Sequence, residues 1–280
     1  MIKPDNKERL DQLLFEKGLY ESRSKAQAAI MAGVVYVNEK KIEKAGIRVG
    51  RDSRFEIRDP RNSYASRGGI KLEHALNTFD IDVKDKTILD VGASTGGFTD
   101  CLLKAGAGKV YAIDVGYGQI AWKLRKDPRV EVIERTNVRY LKPEELYSVR
   151  GKREEVGGEK ASLATIDVSF ISLSKILPAV YDLLTDDGEV IALVKPQFEA
   201  GREQVGKGGL VKDEKVQARV LTDVVKFAGE IGFKLRGATF SPISGADGNI
   251  EFFVYLSKLG ENVKLDAVKI VEEAKSLLSP

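Results

Sequence analysis

Two sets of residues in this chain have types and spacings that could do chemistry. The first is the stretch ILDVGASTGGFTD, residues 88–100. Its apolar start reads as a buried strand, Gly92, Gly96 and Gly97 make a tight turn, and a helix pattern follows from Phe98. A strand, a glycine loop and a helix in that order bring backbone N–H groups close to a small molecule, which suits a nucleotide-like ligand. The dinucleotide pattern G-x-G-x-x-G would require glycine where Ser94 stands. An acid two places before the first glycine fits S-adenosylmethionine (SAM) better, so Asp90, Gly92, Ala93, Ser94, Thr95, Gly96, Gly97, Phe98 and Thr99 are the candidate cofactor residues of the loop. Asp114 ends the next predicted strand, where an acid receives the ribose hydroxyls of an adenosine. Val115 adjoins it, and Asn137 in ERTNVR is placed to meet the adenine edge.

The second set is Lys71, Asp167 in IDVSF, Lys195 in LVKPQFE and Glu251 in GNIEFF. Singly, each has an everyday alternative as a surface lysine, a helix cap, a solvated strand end or an edge-strand charge. Together they put two ammonium groups and two carboxylates at the ends of predicted elements around one mouth. Asp167 also counts with the cofactor residues, because it ends a strand there.

Such residues need a scaffold that gathers the ends of several strands. From Lys86 onward, strand candidates at 87–91, 110–114, 130–133, 162–168 and 189–194 alternate with helix-length segments, which predicts a parallel sheet with right-handed crossovers. Two later strands, 233–240 and 251–257, flank the hairpin-like SPISGADGN, so the last strand is expected to run antiparallel. The predicted fold class is α/β: a Rossmann-like, seven-stranded doubly wound sheet of the SAM-dependent methyltransferase type. GIKLEHALNTFDI is a helix ahead of the sheet that carries Lys71, VKLDAVKIVEEAKSLL is an amphipathic helix covering it, and SVRGKREEVGGEK reads as a polar surface insert.

Residues 61–68, within DPRNSYASRG, read as a linker between a small α+β domain, 1–60, and the large domain, 69–280. In the small domain KERLDQLLFEKG predicts one helix stopped by Gly18, and SRSKAQAAIMAG a second, capped by Ser22 and ended by Gly33. The strand VVYVN and further short strands follow. This order resembles the RNA-binding domain first described in ribosomal small-subunit protein four, the S-four domain. The resemblance implies that Arg9, Arg23, Ser24, Lys25 and Gln27 face RNA phosphates. Charge points the same way: residues 1–66 hold 14 Lys and Arg against 10 Asp and Glu, or +4, which leaves 31 against 32, or −1, for the remainder.

Composition narrows the class further. With 280 residues, 42% of them hydrophobic and 31% charged, the chain can bury a sizeable core. A single cysteine, Cys101, and a single histidine, His74, exclude an intrachain disulfide and a Cys/His zinc site. No apolar run reaches the length of a signal peptide core or a membrane span, so the cytoplasm is the expected location.

In chain order Lys71, Asp167, Lys195 and Glu251 resemble the K-D-K-E tetrad of FtsJ-type ribose 2′-O-methyltransferases, and D-x-G-A-x-x-G-G-F-T resembles their cofactor loop. Over nearly the whole chain, SRGGIKLEHAL, DVGYGQIAWKLRKDPRV, DVSFISL, LVKPQFEAGREQVGKGG and SPISGADGNIEFF, behind an S-four domain, resemble the TlyA (hemolysin A) family of ribosomal RNA 2′-O-methyltransferases. The linker RNSYASRG departs from the tryptophan-containing one of some members. The resemblance implies methyl transfer from SAM to a cytidine ribose of 16S or 23S-type RNA, with ribosomal RNA or ribosomal subunits as partners, no membrane and no metal.

A ribose hydroxyl is a poor nucleophile at neutral pH, and in-line displacement at a sulfonium needs it positioned and relieved of its proton. Lys195 is the expected base, favoured in its neutral form by a nearby cation, Lys71. Asp167 is expected to orient Lys195, with Glu251 and Lys71 fixing the ribose. Arg67, together with Arg202, Lys207 and Lys212 in the glycine-rich loop after Lys195, is expected to hold RNA. Three rival readings are a non-catalytic RNA-binding protein on a methyltransferase scaffold, a pore-forming hemolysin, and an S-four-bearing pseudouridine synthase, which would not need a SAM loop. The complete tetrad opposes the first, and the lack of a spanning or strongly amphipathic membrane segment opposes the second.

Overall fold

The computed structural model describes residues 7–57 except 18, 21 and 52, residues 64–147, and residues 159–278 except 246. Residues 61–63 of the expected linker and nearly all of the polar segment 148–160 lie outside the described residues. The chain divides into two compact units, Met1–Ser63 and Tyr64–Pro280. Residues 64–68, expected in the linker, belong to the second unit, where Gly68 already opens a helix.

In the first unit β1 (Lys7–Arg9) runs into α1 (Leu10–Glu16), followed by α2 (Arg23–Met31), β2 (Val35–Val37), β3 (Lys40–Ile42), β4 (Arg48–Gly50) and β5 (Phe55–Ile57). Residues 7–9, expected in the first helix, pair antiparallel with β4 instead. Lys7, Glu8 and Arg9 offer no apolar stripe, and the helix begins where Leu10 can turn inward. Leu10 and Leu14 of α1 meet Ala26 and Ile30 of α2 over Val35 and Val37, each helix using i,i+4 spacing to face the core. Ser22 caps α2 by accepting from Lys25 N at 3.2 Å, and Gly33 leaves the helix at φ +70°.

The second unit contains α3 (Gly68–Phe79), β6 (Thr87–Val91), α4 (Gly97–Lys104), β7 (Lys109–Ile113), α5 (Trp122–Arg125), β8 (Val130–Ile133) and α6 (Pro143–Tyr147). It continues with β9 (Ala161–Ile166), α7 (Leu177–Leu183), β10 (Leu184–Val194), α8 (Pro196–Glu199), α9 (Glu214–Glu230), β11 (Lys234–Phe240), β12 (Phe252–Ser257) and α10 (Ala267–Leu278). The strands form one seven-stranded sheet in the order β11-β12-β10-β9-β6-β7-β8. The last strand in the chain, β12, is antiparallel to both its neighbours, and the remaining pairs are parallel.

Period-two alternation sends Leu89, Val91, Tyr111 and Ile113 to a core shared with α7, α9 and α10. Ile88, Val110 and Ala112 go to the opposite core, under α3 and α4. From β6 the chain proceeds outward through β7 and β8, then returns to β9 on the other side of β6. That reversal opens a crevice at the carboxyl ends of β6 and β9, the place where open α/β sheets take their ligands.

Candidate active site

The loops after β6 and β9 face each other across this crevice. Gly92 stands at φ +86°, and a Cβ there would lie 2.4 Å from the carbonyl oxygen of Asp167, so only glycine lets the two loops close this tightly. Asp167 N donates to Val91 O at 2.9 Å, and Gly92 N donates to Ile113 O at 2.9 Å, which fixes both loops to the sheet. Gly97 permits a second close approach: a Cβ would fall 2.2 Å from Ser66 Oγ and 3.1 Å from Gly69 N. In this way α4 packs directly on the start of α3, which carries Lys71.

Two cavities open here. One of about 460 Å³ lies over the end of β7, with Ile113, Asp114, Val115, Asn137, Val138 and Ile171 in its wall. The other, about 360 Å³, is walled by Ser66, Arg67, Lys71, Ala93, Thr95, Gly97, Phe98, Lys195 and Ser244 among others. Gly92, Ser94, Asp167 and Ser169 belong to both, so the cavities meet at Asp167.

The larger cavity fits a nucleoside. Asp114 Oδ2 accepts from Ser94 N at 2.8 Å and Oδ1 from Gly116 N at 2.7 Å. Each carboxylate oxygen accepts more than one hydrogen bond, so the pinned acid can still receive a ribose diol. Ile113, Val138 and Ile171 supply apolar walls for a base, and Asn137 supplies an amide. An adenosine-bearing cofactor such as SAM would be held by these residues and the glycine loop.

Three loop residues expected at the cofactor lie outside both cavities. Asp90 and Thr99 are fully buried, at 0% exposure, and Thr99 Oγ1 donates to Asp90 Oδ2 at 2.5 Å. Thr165 Oγ1 donates to the other oxygen at 3.3 Å. The alternation of β6 explains the position: Asp90, next to Leu89, takes the opposite face, under α4, and supports the loop from beneath. Burial pushes its carboxyl up to about 7. Gly96 is buried as well, with Leu124 packed against the place a Cβ would occupy.

The smaller cavity holds the charged residues. Lys195 caps the start of α8, where Pro196 fixes the first helical turn. Its Nζ lies 2.7 Å from Asp167 Oδ1 and donates a hydrogen bond to Ser169 Oγ at 3.0 Å. Asp167 Oδ1 accepts no directed hydrogen bond among the described residues, so the contact with Lys195 is charge pairing off the lone-pair direction. Lys71 Nζ donates to Glu251 Oε2 at 2.5 Å, in a pair whose side chains are only 10% and 3% exposed. Glu251 lines neither cavity and stands behind Lys71, where Gly245 leaves it room: a Cβ at 245 would lie 2.5 Å from Glu251 Oε1.

The four residues thus assemble as two ion pairs. This corrects one expectation: Lys71 is not a bare cation acting on Lys195, because Glu251 matches its charge. Other residues at the site were missed in the sequence, namely Ser66, Ser169, Phe170 and Ser244. Each stands close to a quoted motif residue, and that adjacency was the available signal. Phe170 is 91% exposed at φ +64°, its ring 5.1 Å from that of Phe198. Glu199, at the end of α8, accepts from Ser172 Oγ at 2.6 Å and Leu173 N at 2.8 Å, which ties the helix behind Lys195 to the loop behind Asp167.

Of the residues expected at RNA, Arg67 stands at the rim of the smaller cavity and donates to Ser244 O at 2.9 Å. Arg202, Lys207 and Lys212 are exposed in the turns after α8 and line neither of the two cavities. In the first unit Ser24 and Lys25 are exposed on α2, while Arg9, Arg23 and Gln27 gather around the buried Asp11.

Residues 64–258 match the family model described as FtsJ-like methyltransferase, and residues 8–54 match that of the S4 domain. A provisionally named rRNA methyltransferase of Bacillus subtilis, YqxC, is 50% identical over 278 residues, covering 97% of this chain and 95% of the relative. The 16S/23S rRNA (cytidine-2′-O)-methyltransferase TlyA of Mycobacterium tuberculosis is 43% identical over 249 residues, 89% of each chain. A solved structure from Streptococcus thermophilus, provisionally named a hemolysin, matches with a TM-score of 0.74 at 43% identity, covering 97% of this chain and 96% of its own.

Proposed function

The chain belongs to the FtsJ-like methyltransferase family, and from that membership we propose that it methylates a ribose 2′-hydroxyl of ribosomal RNA, at a cytidine of the 16S or 23S type. The observation that carries the reading is the meeting of a nucleoside-sized cavity and a cavity lined by Lys71 and Lys195 at a single carboxylate, Asp167. The first suits the cofactor and the second the acceptor. The S4 domain supports RNA as the partner, and the name of the Mycobacterium tuberculosis relative supports cytidine 2′-oxygen as the acceptor. Such a substrate places the reaction in the cytoplasm.

SAM is the cofactor, and when bound it supplies a methyl group activated by a sulfonium. The chain's own residues do the rest. Asp114, Asn137 and the glycine loop bind and orient the cofactor. Neutral Lys195 takes the hydroxyl proton at Nζ as the oxygen attacks, and Asp167 pairs with the ammonium that results. The 2.7 Å contact keeps Nζ beside Asp167, where the resulting ammonium would be paired. Lys71, braced by Glu251, presents a fixed donor to the acceptor ribose, and the closeness of the loops keeps the acceptor in line. Among the described residues no helix is long and apolar enough to cross a membrane, which gives the pore reading no support.

The test is incubation with methyl-labelled SAM and unmethylated small and large ribosomal subunits, followed by digestion to nucleosides. Labelled 2′-O-methylcytidine is the expected product. Label on a base, or on neither subunit, would overturn the proposal.

A further inference from the structure

Arg9 and Arg23 stand on different elements of the first unit yet meet at one carboxylate. Asp11, in the first turn of α1, is fully buried at 0% exposure. Its Oδ1 accepts from Arg9 Nε and Gln12 N, each at 3.0 Å. Its Oδ2 accepts from Arg9 Nη2 at 3.0 Å, Arg23 Nε at 3.0 Å and Gln27 Nε2 at 2.6 Å. The hydrogen bond from Arg9, more than any other influence, holds the Asp11 carboxyl well below the usual carboxylate range.

The two arginine side chains remain 42% and 48% exposed. Arg9 engages Asp11 through Nε and Nη2, and Arg23 through Nε. The other guanidinium N–H groups have no partner among the described residues. The acid therefore lies wholly inside, the two forks straddle it, and unused donors stay at the surface. Two arginines over one aspartate leave a local charge of +1 whose negative part is shielded by protein.

We propose that Asp11 is a positioning residue for RNA: it fixes Arg9 and Arg23 as one rigid pair of donors for successive phosphates of the RNA backbone. A guanidinium anchored along one edge has lost its rotamer freedom before the ligand arrives, so less is lost on binding. Gln27, the third side-chain donor to Asp11, completes the anchor and is not itself needed at a phosphate. The inference rests on the reading that the first unit binds RNA.

Charge counting and positioning predict opposite signs, and this makes the test sharp. Asp11→Asn keeps the shape and removes one negative charge. If Asp11 acted only by its charge, the variant would bind RNA more tightly and with a steeper salt dependence. Positioning predicts binding weaker by about tenfold, as when one charge-assisted contact is misplaced. It also predicts a slope of log affinity against log salt that is shallower by about 1. The measurement is titration of an unmodified 23S ribosomal RNA transcript with the full chain across a KCl series, with SAM affinity as the control for folding of the second unit.

Should Asp11→Asn disturb the first unit, Arg23→Lys carries the test, because that side chain is half exposed and its charge is kept. Weakened RNA binding by Arg23→Lys supports the proposal, since an ammonium lacks the fork. Unchanged or tighter binding by either well-folded variant overturns it. If even the double variant Arg9→Ala with Arg23→Ala binds RNA as wild type does, the RNA-binding reading of the first unit falls along with it.

Discussion

Lys195 Nζ lies 2.7 Å from Asp167 Oδ1, at the point where the larger and smaller cavities meet. The second lysine of the site, Lys71, is matched by Glu251 at 2.5 Å. The pairs differ in their surroundings. Asp167 faces both cavities, so its charge is available to the reaction, whereas Glu251 is sealed behind Lys71 and acts through it.

Breaking the sealed pair separates stability from chemistry. Glu251→Ala leaves an unmatched, nearly buried ammonium, which is expected to lower the unfolding free energy by about 3–5 kcal/mol. Replacing both, Lys71→Met with Glu251→Leu, is expected to restore stability to within about 1 kcal/mol while methyl transfer stays lost. Urea unfolding and a transfer assay on the same preparations check both halves. An active double variant would remove Lys71 from the mechanism.

Asp90 gives the fold a pH dependence of definite sign. Its folded value of about 7 lies above the ordinary 3.8, chiefly because of burial. The folded state therefore binds the proton more strongly than the unfolded chain. The stabilisation is fully present below the unfolded value and is lost as pH rises through 7. Asp90→Asn should flatten this contribution and make the variant more stable than wild type at about pH 8, by a few kcal/mol. Unfolding titrations at about pH 5 and about pH 8 check the difference. Parallel behaviour of the two proteins would contradict it.

Phe170 combines a left-handed backbone, φ +64°, with a ring that is 91% exposed. Strain of this kind costs about 1–3 kcal/mol and is kept where the conformation is used. The ring lies 5.1 Å from that of Phe198 and belongs to the wall of the larger cavity, where it offers a stacking surface for the base of a nucleoside. Phe170→Gly is expected to raise the melting temperature while lowering transfer about tenfold, mainly through KM for SAM. A stabilised variant with unchanged KM would show that the ring is not used.

Much of this was legible in the residues because its signals are local. Alternation marked the strands, Ser22 and Gly33 marked the ends of α2, and the glycine loop marked the crevice. The tetrad could be named from its order in the chain. Its pairing could not, since Lys71 and Glu251 are 180 positions apart and only sheet order brings them together. The burial of Asp90 was hidden because acid and glycine spacing do not tell which face of β6 the side chain takes. Asp11 was overlooked because an acid in the first turn of a helix is an ordinary feature, and its partners Arg23 and Gln27 come from another helix.

The most direct measurement is single-turnover methyl transfer from labelled SAM to unmodified ribosomal RNA, comparing wild type with Lys195→Ala and identifying the labelled nucleoside. Wild type is expected to yield a 2′-O-methylated nucleoside, and Lys195→Ala a rate at least about 100-fold lower with SAM affinity retained. Transfer by Lys195→Ala at the wild-type rate, or label found on a base, would contradict the proposed mechanism.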